Sequence, residues 1–220
     1  MNNQIIMAWT VMPITIVAKA WTDNTFKTAL LGDDPNSVLR NQIMELPWDF
    51  NFIITEDTGS QRNLPLPNLP TDLSSWTEEQ VLDVLIKETY GDVNFQYYLP
   101  ARVINKSFFD SNYKTQLLSD ADTALSSEGY TPQGGQTFTV LENSSTNRNL
   151  ILPKIPESWV GLSYRDILDR LISEGQQIVE NANLISSEQL EDTRLIRTPS
   201  ELFGVACCRG QSAPSKQVPY

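Results

Sequence analysis

The sequence predicts an α+β protein made of two tandem copies of one small unit, each with short helices, a β-hairpin and a further helix. Residues 21–31 return as residues 108–118, at an offset of 87 (108 − 21). Residues 62–67 return as 148–153, at an offset of 86 (148 − 62). A third block, Leu82-Asp83-Val84-Leu85-Ile86, returns at the same offset of 86 (168 − 82) as Leu168-Asp169-Arg170-Leu171-Ile172. This constant spacing indicates a tandem duplication, and its length indicates two small domains rather than a solenoid.

The predicted boundaries follow the repeat. Residues 1–99 form the first unit, and residues 100–197 form the second unit with an extra helix. Residues 198–220 form a flexible C-terminal tail, because the apolar periodicity is lost there and Gly, Pro, Ser and Gln become frequent. Its few large apolar residues offer little to offset the entropy of ordering the chain.

Helix boundaries are predicted from capping residues. Pro13 can open a helix at its first position, and Asp23 and Asp34 are N-cap candidates for two further short helices. Thr77 and Gln80 form a capping box that opens a helix to about Glu88. In the second unit, the caps at Asp110, Asp120 and Ser163 repeat this plan; Gly129 stops one helix, Gly175 ends another, and a further helix covers about 176–183.

Two pairs of strands are predicted from β-branched and aromatic content. In the first unit, residues 50–55 and 63–66 flank the turn at 56–60. In the second unit, residues 137–141 and 149–152 flank a turn at 143–147. A short turn between two apolar runs favours a hairpin in each unit.

The charge excludes two classes of partner. A net charge of −11 and a pI of about 4.4 argue against nucleic acid and anionic membrane surfaces. The charge is uneven, since residues 197–220 carry Arg197, Arg209 and Lys216 against Glu201, a net +2 that leaves −13 (−11 − 2) elsewhere. No apolar run approaches the roughly 18 residues of a membrane span, and the N-terminus lacks a signal peptide's charged region. We expect the protein to be cytoplasmic when synthesised.

Histidine is absent, which excludes Ser-His-Asp and Cys-His nucleophiles and His-ligated metals. The adjacent pair Cys207-Cys208 supplies the only thiols, so no disulfide framework can form. No two carboxylates have a spacing that suggests acid/base chemistry. We therefore expect no catalytic residues, no cofactor and no metal.

The segment from Ala20 to Asp33, Ala-Trp-Thr-Asp-x-x-Phe-Lys-x-x-Leu-Leu-x-Asp, resembles the opening of the nitrile hydratase α subunit. Residues 129–152 extend the resemblance. In that family the following stretch is a Cys-x-x-Cys-Ser-Cys cluster, whose thiolates and two backbone amides hold iron or cobalt. Here those cysteine positions fall on Pro153, Pro156 and Ser158, and Arg148 replaces the family's histidine. Proline offers neither a soft ligand nor an N–H to deprotonate, so the resemblance implies the scaffold without the metal chemistry.

The chain also resembles the nitrile-hydratase-type leader peptides of ribosomally made, post-translationally modified natural products. In that family a metal-free domain ends in a Leu-x-Leu-Pro block that modifying enzymes bind, and a C-terminal core peptide is their substrate. Two blocks here fit, and the resemblance implies a partner-recognition role for Leu64, Leu66, Pro67, Leu150, Leu152 and Pro153. Two features depart from that family: the unit is doubled, and the Gly134-Gly135 pair lies inside the second unit rather than before the tail.

Three interpretations of Cys207 and Cys208 remain open: incidental thiols in a tail, modification sites, or a poor two-thiolate metal site. As modification sites, the thiols can add to the preceding carbonyl or to a dehydrated Ser212 or Ser215. The neighbouring Arg209 favours the reactive thiolate.

The favoured hypothesis is a non-catalytic precursor of the thiazole/oxazole-modified bacteriocin type, with a leader body and a substrate tail at about 204–220. Its expected partners are a cyclodehydratase or similar peptide-modifying enzyme and an exporter or protease. The alternative is a non-catalytic scaffold or binding protein with no processed tail.

Overall fold

The computed structural model describes residues 12–43, 50–69, 71–88, 99–131 and 135–186, with side chains except those of 72 and 176–186. Seven elements follow one another in the first half of the chain, and seven follow in the same order in the second. The first set is α1 (Ile14–Thr22), α2 (Asn24–Leu30), α3 (Pro35–Arg40), β1 (Asn51–Glu56), β2 (Gln61–Leu66), a 3-10 helix (Thr71–Leu73) and α4 (Glu78–Glu88). The second set is α5 (Ala101–Phe109), α6 (Ser111–Ser119), α7 (Ala121–Ser127), β3 (Thr137–Glu142), β4 (Asn147–Leu152), a 3-10 helix (Glu157–Trp159) and α8 (Tyr164–Ser186).

The predicted N-caps are confirmed. The Asp23 carboxylate accepts the backbone N–H of Phe26 at 3.0 Å. Asp110, its equivalent in the second half, accepts the N–H of Tyr113 at 2.9 Å. The capping box also forms, because the backbone N–H of Gln80 donates to Thr77 Oγ1 at 3.3 Å. These helices therefore begin where a side-chain oxygen satisfies backbone N–H groups that have no partner within the helix. Helices α1 and α5 instead follow Pro13 and Pro100 and have no side-chain cap.

The predicted hairpins are wrong, because each strand pairs in parallel with a strand of the other half. Strand β1 pairs with β4, from Asn51 opposite Asn147 to Glu56 opposite Leu152. Strand β2 pairs with β3, from Gln61 opposite Thr137 to Leu66 opposite Glu142. The structure thus has two parallel two-stranded sheets within its described residues.

The pairing follows from where the strands bury their side chains. Phe52 on β1 packs with α1–α3, whereas Leu64 and Leu66 on β2 pack with α4–α7. Pairing β1 with β4 and β2 with β3 keeps the two strands of each sheet in the same core. Periodicity marked each strand correctly but carried no information about its partner.

The helix predicted to end near Gly175 also differs, since α8 runs unbroken through Ser186. A single glycine inside a helix costs only about 1 kcal/mol relative to alanine. Because Gly175 is buried, packing around it can offset that cost, and the separate helix predicted at about 176–183 is the continuation of α8.

Two hydrophobic cores result, each built from both halves of the sequence. The first core joins α1–α3 and β1 to β4, Trp159 and α8. The second core joins β2, Leu73 and α4 to α5–α7 and β3. The cores therefore cross the predicted boundary at residue 99, and neither is complete within 1–99 or 100–197 alone.

The two halves also share their polar contacts at the repeat offset. The backbone N–H of Phe52 donates to Asn36 at 2.9 Å. Phe138, which is 86 residues later (138 − 52), donates in the same way to Asp122 at 2.8 Å. The offset also exchanges the two sheets, since it carries position 51 to 137 and position 61 to 147, the first residues of all four strands. The two cores have one plan, down to individual hydrogen bonds.

Candidate functional site

The residues predicted to be bound by a partner lie mostly inside the cores. Four leucines, Leu64, Leu66, Leu150 and Leu152, have exposed fractions of 1% or less. Pro67 is also buried, and Pro153 is half-buried. In the folded chain the four leucines pack in the two cores, so a partner cannot contact them directly. Recognition of these blocks stays a prediction.

A pair of equivalent turns precedes the strands that carry these leucines. In the first, Asp57 Oδ1 accepts the backbone N–H of Asn63 at 2.7 Å and its side-chain amide at 3.0 Å. In the second, Asn143 Oδ1 accepts the same two groups of Asn149 at 2.7 and 3.1 Å. One buried side-chain oxygen therefore clamps each strand to the turn before it.

The two turns differ in charge. Burial raises the pKa of Asp57, and the hydrogen bonds from Asn63 and the charge of Arg62 only partly oppose this effect. The Nε atom of Arg62 lies 3.8 Å from Asp57 Oδ2. Asn143 makes the same hydrogen bonds without a charge, and its own Nδ2 has no partner among the described residues. The first turn thus contains a titratable group that the second lacks.

The segment that resembles the family's metal loop is held by tryptophans. Trp21 Nε1 donates to the Pro153 carbonyl oxygen at 2.8 Å, and the backbone N–H of Trp159 donates to Pro156 O at 2.9 Å. The rings of Trp21 and Trp159 meet edge to face, with centroids 6.0 Å apart. Arg170 Cζ lies 5.5 Å from the Trp159 centroid.

These donors do not fit a low-spin iron or cobalt centre. Pro153 and Pro156 have no amide hydrogen to lose, and Ser158 offers a hard hydroxyl where a soft thiolate is required. The carbonyl of Pro153 is engaged by Trp21. Within the described residues, no group of three or more His, Cys, Asp or Glu side chains is placed to hold a metal ion.

Arg148, at the position of the family's histidine, has a structural environment. Its guanidinium carbon lies 3.9 Å from the centroid of the Phe50 ring. Its Nη1 donates to the carbonyl oxygens of Ser144 and Asn147. Desolvation lowers its pKa. The side chain thus fixes the turn before β4 against β1, and its contacts are cation–π and backbone contacts.

The proposed modification sites Cys207, Cys208, Ser212 and Ser215 lie outside the described residues. Among the helices that are described, none is both long enough and apolar enough to span a bilayer.

Sequence reasoning missed a pocket between α4, α5 and the end of α7. Its volume is about 470 Å³. It is lined by Glu78, Leu82, Arg102, Asn105, Lys106, Phe109, Asp110 and Glu128. Asn105 is only 2% exposed, and its Oδ1 accepts no hydrogen bond from the described residues. The repeat carried the signal: Asn105 stands in the apolar stripe of α5, where α1 has Ala18, 87 residues earlier (105 − 18).

Comparison with known proteins supports the resemblance over part of the chain. Residues 91–160 match the family model described as nitrile hydratase, alpha chain. This range contains β3, β4 and the proline-containing segment at the metal-loop position. No curated protein matches the chain.

Solved structures show a distant likeness over most of the chain. A double mutant of the Fe-type nitrile hydratase from Comamonas testosteroni Ni1 is 18% identical, with a TM-score of 0.45, and the alignment covers 98% of this chain and 82% of that one. A mutant thiocyanate hydrolase is 15% identical, with a TM-score of 0.43, and the alignment covers 94% of this chain and 83% of that one.

Proposed function

We propose that this chain is a non-catalytic, nitrile-hydratase-α-like precursor protein, whose folded body acts as a leader and whose C-terminal tail is the substrate of modifying enzymes. The observation that carries the proposal is the loss of the metal donors at Pro153, Pro156 and Ser158. This loss falls inside the stretch that matches the nitrile hydratase α chain. The segment's polar groups make structural contacts with Trp21 and Trp159 instead.

The tail supplies the chemistry that the body lacks. Cys207 and Cys208 are the only thiols in the chain. In a cyclodehydration, the Cys207 sulfur bonds to the carbonyl carbon of Ala206, and the carbonyl oxygen leaves as water, giving a thiazoline. In the thioether alternative, Ser212 or Ser215 loses water to give a dehydroalanine, and a cysteine thiol adds across its double bond.

The body's contribution is affinity and tethering. A bound leader raises the local concentration of the attached tail at the enzyme's active site. The buried Leu64, Leu66, Leu150 and Leu152 then act by fixing strands β2 and β4 in the two cores, and the partner contacts exposed residues elsewhere on the body. The proposed partners are a cyclodehydratase or similar peptide-modifying enzyme, followed by an exporter or protease. Nucleic acid and membranes are not among them, and the protein is cytoplasmic when made.

We also infer that the two halves arose by duplication of a single leader unit. The matched hydrogen bonds, caps and strand registers at an offset of 86 or 87 residues support this origin. A single unit lacks half the strands of each core, so two copies of the ancestral chain would have paired as a dimer with exchanged strands.

The mass of the intact protein from its native host tests the proposal directly. We expect the calculated mass minus one water for each modified residue, with the change localised to the fragment that contains Cys207 and Cys208. The Cys207→Ala/Cys208→Ala double variant should keep its calculated mass apart from any serine dehydration. An unmodified tail would reject the precursor hypothesis and favour the scaffold with no processed tail.

Dependence on the leader separates a true precursor from accidental reactivity. A synthetic peptide of residues 198–220 should be modified much more slowly than the full chain by a cyclodehydratase encoded near its gene. Equal rates for peptide and full chain would mean that the body plays no leader role. Truncating the body to one half is not a suitable test, because each core needs strands from both halves.

Elemental analysis tests the non-catalytic assignment. Purified full-length protein should contain no stoichiometric iron or cobalt and should not hydrate nitriles. Stoichiometric iron or cobalt, or measurable hydration of a nitrile, would contradict the proposal.

A further inference from the structure

The pocket between α4, α5 and the end of α7 lies in the second core. In the first core the corresponding helices are α8 and α1, which pack against each other as α4 packs against α5. There the position of Asn105 is occupied by Ala18, whose exposed fraction is 0%. An alanine fills a helix contact without a polar atom. The amide at Asn105 is therefore a departure from the shared plan and not a requirement of it.

The side-chain oxygen Oδ1 of Asn105 accepts no hydrogen bond from the residues that the structure describes. A buried polar atom without a hydrogen bond costs about 1–3 kcal/mol, so proteins keep few of them without a reason. Asn105 forms the buried floor of the pocket, while Glu78, Arg102, Phe109 and Asp110 are exposed around it. Asn105 lines a pocket of about 470 Å³, so a ligand that brings an N–H or O–H group into this pocket can satisfy its oxygen.

The charges around the pocket favour a cation. Three carboxylates, Glu78, Asp110 and Glu128, line it together with two cations, Arg102 and Lys106. Lys106 Nζ donates to Glu128 Oε1 and also lies 4.3 Å from the centroid of the Tyr113 ring. This leaves the exposed carboxylates of Glu78 and Asp110 against the exposed Arg102, an excess of one negative charge around the pocket, although water screens all three.

The remaining wall is apolar. Leu82 on α4 is half-buried, and Phe109 at the end of α5 is 44% exposed. An aliphatic stem can lie against these two side chains while its charged end reaches inward. Phe109 also offers a ring face for a cation.

We propose that this pocket binds a guanidinium or ammonium group carried on an aliphatic stem, with one of its N–H groups donating to Asn105 Oδ1. The group can come from a free small amine or from an arginine or lysine side chain of a peptide. The site is independent of the proposed leader function, because it does not involve Cys207, Cys208 or the strands.

Calorimetric titration of the full-length protein tests the site with two probes. Agmatine represents a free cation, and a capped Gly-Arg-Gly peptide represents a peptide side chain. Binding of either probe supports the proposal, and the tighter of the two identifies the source. A capped Gly-citrulline-Gly peptide keeps the N–H donors but loses the charge, so it should bind more weakly.

Two variants locate the binding. Asn105→Ala reproduces Ala18 of the first core, so the fold should be retained, and probe affinity should fall about tenfold with the lost charge-assisted hydrogen bond. Glu78→Gln should weaken binding about twofold, since exposed charges contribute little. Glu79→Gln makes the same change in net charge at the next, exposed position of α4 and should have no effect.

The proposal is overturned if neither probe binds, or if Asn105→Ala binds both probes as tightly as the wild-type protein does. It is also overturned if citrulline and arginine peptides bind equally, since the carboxylates would then have no role.

Discussion

The first and second cores have the same backbone plan but differ in their polar and charged side chains. Three equivalent positions show the difference: Ala18 against Asn105, Phe26 against Tyr113, and Gln42 against Glu128. The second core carries the polar residue or the charge at each of them. Asn105 Oδ1 and the Tyr113 hydroxyl also have no hydrogen-bond partner among the described residues.

The contrast teaches that the plan itself requires only apolar residues at the first two positions. At the third, Lys19 donates to Gln42 at 2.8 Å in the first core, and Lys106 pairs with Glu128 in the second. The contact is thus kept while the charge differs. We therefore expect a binding role in the second core, because it has polar side chains that the shared plan does not require.

The largest effect is expected from truncating a side chain that one half of the sequence contributes to a core shared with the other half. Leu150→Ala should cost about 2–5 kcal/mol of unfolding free energy, because Leu150 is 1% exposed. Although Leu150 lies late in the sequence, hydrogen exchange should rise in α1–α3, which share its core. Leu64→Ala should instead affect α5–α7.

Leu118→Ala is the control for both leucine variants, since Leu118 is 37% exposed and should cost well under 1 kcal/mol. If Leu150→Ala raised exchange in α5–α7 and left α1–α3 protected, the exchange of strands between the halves would be disproved.

The next largest effect is expected at the charged turn. The raised pKa of Asp57 means that folding disfavours its ionised form. This destabilisation is absent below the ordinary carboxyl pKa and sets in as pH rises through the raised value. Asp57→Asn, which copies Asn143, removes this pH-dependent cost but adds a buried amide nitrogen like the unpartnered Nδ2 of Asn143. The unfolding free energy of the variant, measured relative to the wild-type protein, should therefore be higher at neutral pH than at acid pH.

The reciprocal variant, Asn143→Asp, should lower stability at neutral pH and recover it in acid. Urea denaturation at a series of pH values measures both changes. Asp33→Asn, at an exposed turn position, is the matched control. A stability gain for Asp57→Asn that grew as pH fell would contradict the assignment.

A smaller effect is expected for the phenol of the second core. Burial raises the pKa of Tyr113 to about 12, with further contributions from Glu128 and Tyr130. Folding therefore favours the neutral phenol, and this contribution is lost as pH rises from about 10 towards the raised value. Tyr113→Phe, which copies Phe26, should be neutral or stabilising by up to about 1 kcal/mol at pH 7.

Ultraviolet titration of tyrosine absorbance checks this assignment, since the variant should lose one late-titrating phenol. A clear loss of stability in Tyr113→Phe at pH 7 would mean that the Tyr113 hydroxyl has a hydrogen-bond partner. The hydroxyl would then not be an unsatisfied polar group that distinguishes the second core from the first.

The smallest effect is expected from the paired surface bridges. Lys27 with Glu56 and Lys114 with Glu142 occupy equivalent positions and are similarly exposed. Double-mutant cycles should give about 0.2–1 kcal/mol for each pair, reduced by added salt. The more exposed Arg165–Asp169 pair is the control and should give less. Clearly unequal coupling energies for the two salt bridges would mean that the two halves are not equivalent at these surface positions.

Much of the local structure could be predicted from neighbouring residues alone. Asp23 and Asp110 identified helix starts because a carboxylate satisfies N–H groups only two or three residues away. Gly129 marked a helix end correctly, and it has a φ of 88°. The four strands were also found, to within about two residues at each end.

Gly175 and Asn105 show where local signals were insufficient. Glycine is typical of helix ends, but Gly175 is buried and α8 continues through it. Asparagine is usually exposed, but Asn105 is buried at a helix interface. In both cases the outcome depends on what packs against the residue, which short-range patterns do not contain.

The sequence by itself determined the element order, its repetition in the two halves, the helix caps and the absence of thiolate donors at 153–158. Each depends on residue identity or on contacts within a few positions. Only the tertiary structure decided which strands pair, because β1 and β2 bury their side chains in different cores. It also decided that the Leu-x-Leu blocks are core rather than surface, and that one buried amide lines a pocket. Long-range burial selects these arrangements, since the free energy gained depends on which apolar faces meet across the chain.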